Sequence, residues 1–176
     1  MDIVVPDEFE YLYVRNAERP VVKIPDPVLR KVANPVNKFG PKIAQLADEL
    51  VRLMKKSNGV GLAANQLGYL QRMCAIAPAG ERASVLINPV IVKCEGEQLG
   101  EEGCLSIPGL YGDVKRFSYV EVEAYDKRGR LLVYELEGMP ARIAQHEIDH
   151  LDGVLFIDKV DIATLHWVHP DVDRED

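Results

Sequence analysis

Cysteine is scarce in this chain. Its three thiols, Cys74, Cys94 and Cys104, are an odd and sparse set that cannot form a disulfide framework. The setting expected from this is a reducing one, where a thiol stays free to bind metal. No run of about 18 apolar residues occurs, so no membrane span is expected. Basic residues are outnumbered, 21 Lys and Arg against 28 Asp and Glu, for a formal net charge of −7. That balance argues against a charge-driven grip on nucleic acid, although not against docking on a larger machine. The opening "MDIVVPDEFEYLYVRNAERP" lacks a basic region followed by an apolar run, so it does not read as a secretory signal. Internal repeats, low-complexity tracts and linkers are missing too. What is present, 176 residues with 47% hydrophobic and 28% charged, suits one globular domain with a sizeable core.

Residues 1–20 read as an extension, wrapped on the domain or partly loose, ahead of a domain spanning 21–176. Pro25, Pro27 and Pro35 then forbid a regular helix. In "PKIAQLADELVRLMKKSNG", Ile43, Leu46, Ala47, Leu50, Leu53 and Met54 recur at three- and four-residue steps and predict a helix. "RMCAIA" and "SVLINPVIV" predict strands, with Pro89 marking an edge or a bulge in the second. Cys74 and Cys94, in such strands, read as small buried hydrophobes. "YVEVEAYDKRGRLLVYELE" predicts a hairpin turning at Gly129. "GMPARIAQHEIDHLDG" predicts a buried second helix, and "VLFID" a short strand. Strands in runs, rather than alternating with helices, favour an α+β fold with antiparallel pairing.

The chemistry concentrates in the second helix. His146 and His150, four residues apart, point the same way one turn apart, so both imidazoles reach one ion. Glu147 lies about 100° round the helix, placed to reach a water on that ion rather than the ion itself. The H-E-x-x-H pattern also arises by chance on helices with merely solvated or hydrogen-bonded histidines, so further ligands decide. A catalytic site needs a third protein ligand and an open position. The third-histidine position of the longer H-E-x-x-H-x-x-G-x-x-H pattern is Phe156, which cannot coordinate. Asp158 and Asp161 sit in no recognisable ligand motif. Cys104, in the tight "GEEGCLSIPG" loop between Gly103 and Ser106, is the better candidate. In "GVGLAANQ", Gly59 and Gly61 permit close backbone approach, and Gln66 is an amide in need of a partner, a substrate oxygen among the choices.

With "GVGLAANQ", "EEGCLSIPG" and "QHEIDHLDG" in that order, the chain resembles the peptide deformylases from about Val21 to Asp158. The resemblance implies a single α+β domain with antiparallel sheets around a central metal-bearing helix. It implies hydrolytic removal of the formyl group from the N-terminal formylmethionine of nascent polypeptides, releasing formate. It makes Cys104, His146 and His150 the ligands of one divalent ion, Fe²⁺ in the cell with Zn²⁺, Ni²⁺ or Co²⁺ as alternatives. Water activated by that ion attacks the formyl carbon, with Glu147 as general base and acid. Gln66 and the Leu105 N–H hold the carbonyl oxygen. Val60, Met139 and Ile143 are the candidates for an apolar methionine pocket, against plain core packing, and Gly61 and Gly103 allow the substrate backbone to approach. The peptide beyond is expected to lie extended against a strand edge near 59–61 or 109–111. No membrane or nucleic-acid partner is implied. A bacterial cytoplasm, or an organelle matrix after removal of a transit peptide, fits. Many members carry a long basic C-terminal helix. "ATLHWVHPDVDRED" is short and acidic instead, so ribosome proximity would not run through such a helix, and His166 and His169 read as surface or packing residues. An H-E-x-x-H endoprotease and a non-enzymatic module stabilised by metal are the rival readings.

Overall fold

The structure, a computed structural model, describes residues 1–169. Its elements are α1 (Pro41–Lys56), β1 (Gly61–Ala63), β2 (Met73–Ile76), β3 (Ser84–Glu95), β4 (Gln98–Cys104), β5 (Ile107–Arg116), β6 (Tyr119–Tyr125), β7 (Leu131–Glu137), α2 (Met139–Leu151) and β8 (His166–Trp167), with several short 3-10 turns. One sheet has the order β1-β2-β3-β6-β7 and the other β4-β5-β8. Every pairing within them is antiparallel. This is the α+β architecture expected.

The larger sheet is covered on both faces. The apolar stripe of α1 buries Leu46, Leu50, Leu53 and Met54, a gross gain of roughly 6–12 kcal/mol before conformational entropy is charged against it. Pro41 opens that helix where a missing N–H costs nothing, and Lys55 and Lys56 close it against the negative end of the dipole. Period two in β2 then divides the core. Met73 and Ala75 pack with α1, whereas Cys74 and Ile76 pack with Ala144, Ile148 and Leu151 of α2. The smaller sheet has its own core, in which Ile107, Leu110 and Val114 meet Leu155, Phe156 and Ile157. Between the two sheets α2 is buried nearly all round, including Arg142, Gln145, His146, Glu147 and His150.

Two expectations need adjustment, and two open alternatives narrow. "VLFID" forms a 3-10 turn at Phe156–Asp158, not a strand, because the Asp158 carboxylate accepts from Leu155 N at 2.9 Å and curls the chain. Cys94 lies in β3 as read but is exposed, since the end of that strand runs past the helices that cover its beginning. Pro89 marks a bulge rather than an edge: the register shifts between Ile87 and Val90 in a strand paired on both sides. The edge of β5 at 109–111 is already taken, with Leu110 opposite Trp167 and Tyr111 opposite His166. Residues 1–20 are wrapped on the domain. Phe9 is buried, its ring 4.9 Å from that of Trp167, and the Tyr13 hydroxyl donates to Pro108 O at 3.1 Å.

Candidate metal centre

The "GCLS" segment is the tip of the β4–β5 hairpin. Cys104 is opposite Ile107, so Leu105 and Ser106 form the turn. The turn aims the Cys104 thiol at α2, where Sγ stands 3.3 Å from His150 Nε2. His150 Nε2 is 3.2 Å from His146 Nε2. All three ligand atoms lie within 4.8 Å of one another. A tetrahedral ion bonded at about 2.3 Å to sulfur and about 2.0–2.1 Å to nitrogen sets neighbouring ligands roughly 3.3–3.6 Å apart. The observed separations of 3.3 and 3.2 Å fit one such ion held by these three side chains.

The surroundings fit a cation as well. His146 Nδ1 is 2.9 Å from Glu102 Oε2, and a proton shared there leaves the Nε2 lone pair facing the other two ligands. Glu102 also accepts from Arg116 at 2.8 and 2.9 Å and from Arg142 at 2.8 Å. Burial alone would raise the Glu102 pKa, but hydrogen bonds from Arg116 and His146 and their charges overcome it and hold the carboxyl far below its ordinary range. Arg116 continues to Asp149, and Lys159 meets Asp149 at 2.8 Å. Asn65 Nδ2 donates to the His150 carbonyl, fastening the last turn of α2. Burial also lowers the pKa of His150, seconded by the charge of His146. His146 moves the other way: burial would lower it, yet hydrogen bonds to Cys104 and Glu102 and the charges of Glu147 and Cys104 raise it well above its usual value.

Glu147 is buried and stands against the backbone of β1. A Cβ on Gly61 would lie 2.2 Å from Glu147 Oε1. Among the described residues, Oε2 of this carboxylate is buried without a hydrogen-bond partner. Burial, tempered by the charge of His146, pushes the Glu147 pKa up to about 7, the region suited to a group that takes up and returns a proton. Gln66 Oε1 accepts from Ala63 N at 2.9 Å, which turns its Nε2 toward Ser106 Oγ at 3.1 Å and Cys104 Sγ at 3.6 Å. Its amide therefore has protein partners already and is fixed beside the ligands.

Cys104, His146, Glu147 and Gln66 open on one cavity of about 580 Å³, whose lining also includes Val60, Gly61, Gly103, Leu105, Met139 and Ile143. Every site residue singled out from the sequence borders it except His150, which is buried beneath it. Cys74 lies elsewhere, wholly buried, its thiol pKa raised by that burial and then by the Glu147 charge. His166 is paired at the surface with Glu101 at 3.3 Å. Phe156 packs near His146, their rings 6.4 Å apart. The supporting residues Glu102, Arg116, Arg142, Asp149 and Asn65 escaped sequence reasoning. The one signal for them was the polarity of a helix that had to be buried, which demands partners without naming them.

A pair of histidines and a glutamate on a buried helix, with a thiol from a hairpin tip, are positioned to hold one metal ion on an α+β fold, an arrangement of the class used by metal-dependent hydrolases. The chain matches the family model described as polypeptide deformylase over residues 18–165. It is 50% identical over 139 residues to a peptide deformylase of Desulfitobacterium hafniense, covering 79% of this chain and 92% of that one. It is 51% identical over 143 residues to one from Thermoanaerobacter pseudethanolicus, covering 81% and 89%. Among solved structures, the peptide deformylase of Thermus thermophilus superposes with a TM-score of 0.78 at 47% identity, covering 81% of this chain and 85% of that one. The peptide deformylase of Synechococcus elongatus, determined in complex with actinonin, gives 0.78 at 37% identity, covering 84% of each. The chain belongs to the peptide deformylase family and is an enzyme of that family.

Proposed function

We propose that this chain hydrolyses the formyl group from the N-terminal formylmethionine of nascent polypeptides, with residues 21–176 as the catalytic domain. The observation that carries the reading is the convergence of Cys104 Sγ, His150 Nε2 and His146 Nε2, with Glu147 beside them on a single cavity. Cys104, His146 and His150 would hold one divalent ion. Fe²⁺ is the ion proposed for the cell, and Zn²⁺, Ni²⁺ and Co²⁺ suit the same mixed thiolate and imidazole donors. When bound, such a cation makes water nucleophilic at neutral pH and polarises the formyl oxygen.

The residues then divide the work. Glu147 takes a proton from the attacking water and returns it to the leaving amine nitrogen, so that the amide and water become formate and a free N-terminus. Gln66 Nε2 and the Leu105 N–H donate to the oxygen that gains negative charge, a contribution of about 3–4 kcal/mol to the barrier for a donor of this kind. Val60, Met139 and Ile143 form the apolar pocket for the methionine side chain. β1 and β4 are edge strands, and Gly61 and Gly103 present their backbones to the cavity, so an extended peptide lies between those edges. The bacterial relatives and the free thiols support a bacterial cytoplasm as the setting.

The test is formate release from formyl-Met-Ala-Ser, with the metal content of the same sample measured alongside. Glu147→Gln should keep the ion and lose turnover; full activity in that variant would remove Glu147 as the base. Cleavage of an unformylated internal peptide with formyl-Met-Ala-Ser left intact would point to the endoprotease instead.

A further inference from the structure

Two residues of the cavity lining come from the two ends of the described chain: Leu12, in the N-terminal 3-10 turn, and Val168, just past β8. Neither falls within residues 18–165, the stretch matched by the family model. Both are held at the part of the lining formed by Pro108 and Gly109. The neighbour of Leu12, Tyr13, bonds Pro108 O at 3.1 Å, and Val168 N donates to Gly109 O at 2.8 Å. Phe9 locks the two segments together. It packs on Trp167, and Gly109 leaves it room, since a Cβ there would stand 2.6 Å from the Phe9 ring. The wall is therefore a built part of the fold rather than a loose end lying across an opening.

A cavity of about 580 Å³ lies within the range of roughly 300–1,000 Å³ that encloses drug-sized ligands. That is more room than a formylmethionyl group fills, so residues following it share the space. The chemistry of the wall is apolar: Leu12, Pro108 and Val168. The acidic group nearby, Glu101, is opposed by His166 at 3.3 Å. We propose that Leu12 and Val168 form an apolar subsite for a peptide side chain one or two residues after the formylmethionine. The proposal rests on the deformylase reading and adds a sequence preference to it.

The experiment measures kcat/KM for formyl-Met-Leu-Leu and formyl-Met-Ser-Ser on the full chain loaded with Ni²⁺. The unaltered chain should favour the leucine peptide by about 5- to 20-fold, as a partly buried leucine side chain warrants. Leu12→Ser and Val168→Ser should each reduce that ratio by about 3- to 10-fold, chiefly through KM. Both peptides are assayed on one preparation, so any misfolded fraction cancels from the ratio. Equal rates on the two peptides by the unaltered chain, or a ratio that neither variant changes, would overturn the subsite and leave deformylation standing. No formate from either peptide would defeat the deformylase reading and the subsite together. Formyl-Met-Leu-Ser and formyl-Met-Ser-Leu then assign the position.

Discussion

Gly61→Ala is the sharpest perturbation the structure offers. The backbone φ at Gly61 lies outside the left-handed region, so alanine can adopt it without strain. The obstacle is the added methyl, whose Cβ would stand 2.2 Å from Oε1, 2.7 Å from Cδ and 2.8 Å from Cγ of Glu147. Restoring an ordinary contact of about 3.4 Å moves the carboxylate oxygen by at least ~1.2 Å. Misplacement on that scale costs about 10²-fold in rate, and complete loss of a general base costs about 10²–10⁴-fold. The expected fall in kcat/KM is therefore about 10²–10³-fold, or roughly 3–4 kcal/mol of barrier. Metal content should hold, because the three atoms nearest the methyl all belong to Glu147, which is not among the proposed ligands, and the melting temperature should fall only slightly, because a side-chain end gives way rather than backbone. Formate release, metal analysis and a thermal melt on one preparation check all three. A double-mutant cycle refines the result: in a Glu147→Gln background, Gly61→Ala should add little further loss. Activity within about threefold of the unaltered chain would refute the argument, and an undiminished cost in the Glu147→Gln background would place the effect on the substrate instead.

Three further outcomes are expected. Cys104→Ala should lose most bound metal while Cys74→Ala keeps it; equal metal per chain in the two variants would remove Cys104 from the ligand set. Glu102→Gln strips the carboxylate from two buried guanidiniums and from His146, which should destabilise the fold by about 3–5 kcal/mol and weaken metal binding by about 10–100-fold, measurable by melting and by competition with a chelator. Asp158→Asn tests a pH effect. Burial would raise the Asp158 pKa, but the Arg30 hydrogen bond and the Leu155 N–H hold it below its ordinary value. A depressed carboxyl stabilises the fold above its unfolded pKa of about 3.9 and ceases to do so as pH falls through the folded value. With Arg30 well exposed, the variant should lose only about 0.5–1 kcal/mol at pH 7, and the gap in melting temperature should close as pH falls below about 4 and through the lowered folded value; a gap independent of pH would show that the charge is irrelevant.

The parts legible from the sequence are those governed by local periodicity. The 3.6-residue recurrence of Leu46, Leu50, Leu53 and Met54 and the two-residue alternation of Val120, Val122 and Ala124 each mirror a buried face. His146 and His150 were legible for the same reason, since helical spacing alone aligns them. Cys104 could be suspected only from its neighbours, because what brings it to the helix is the docking of one sheet against another, a contact between distant positions. The Glu102 network was illegible. A glutamate following a glutamate looks like solvated charge, and only burial beside Arg116 and Arg142 turns it into the anchor of His146. "VLFID" misled because a run of apolar residues is equally consistent with a strand and with a buried turn until its side-chain cap is known. The β5 edge was misjudged because the strand that fills it, His166–Trp167, is too short to show any period.

The position of Cys104 at a hairpin tip has a consequence for folding. It meets His150 across 46 positions of chain, and the intervening loop contains β5, β6, β7 and nearly all of α2. An ion held by both would work as a removable staple between the small sheet and the central helix. By the loop-entropy argument used for covalent cross-links, closing a loop of that length limits the unfolded chain by on the order of 4 kcal/mol. Conditions that extract the ion would then loosen the docking of one sheet on the other, so heat tolerance and catalytic competence should decline together.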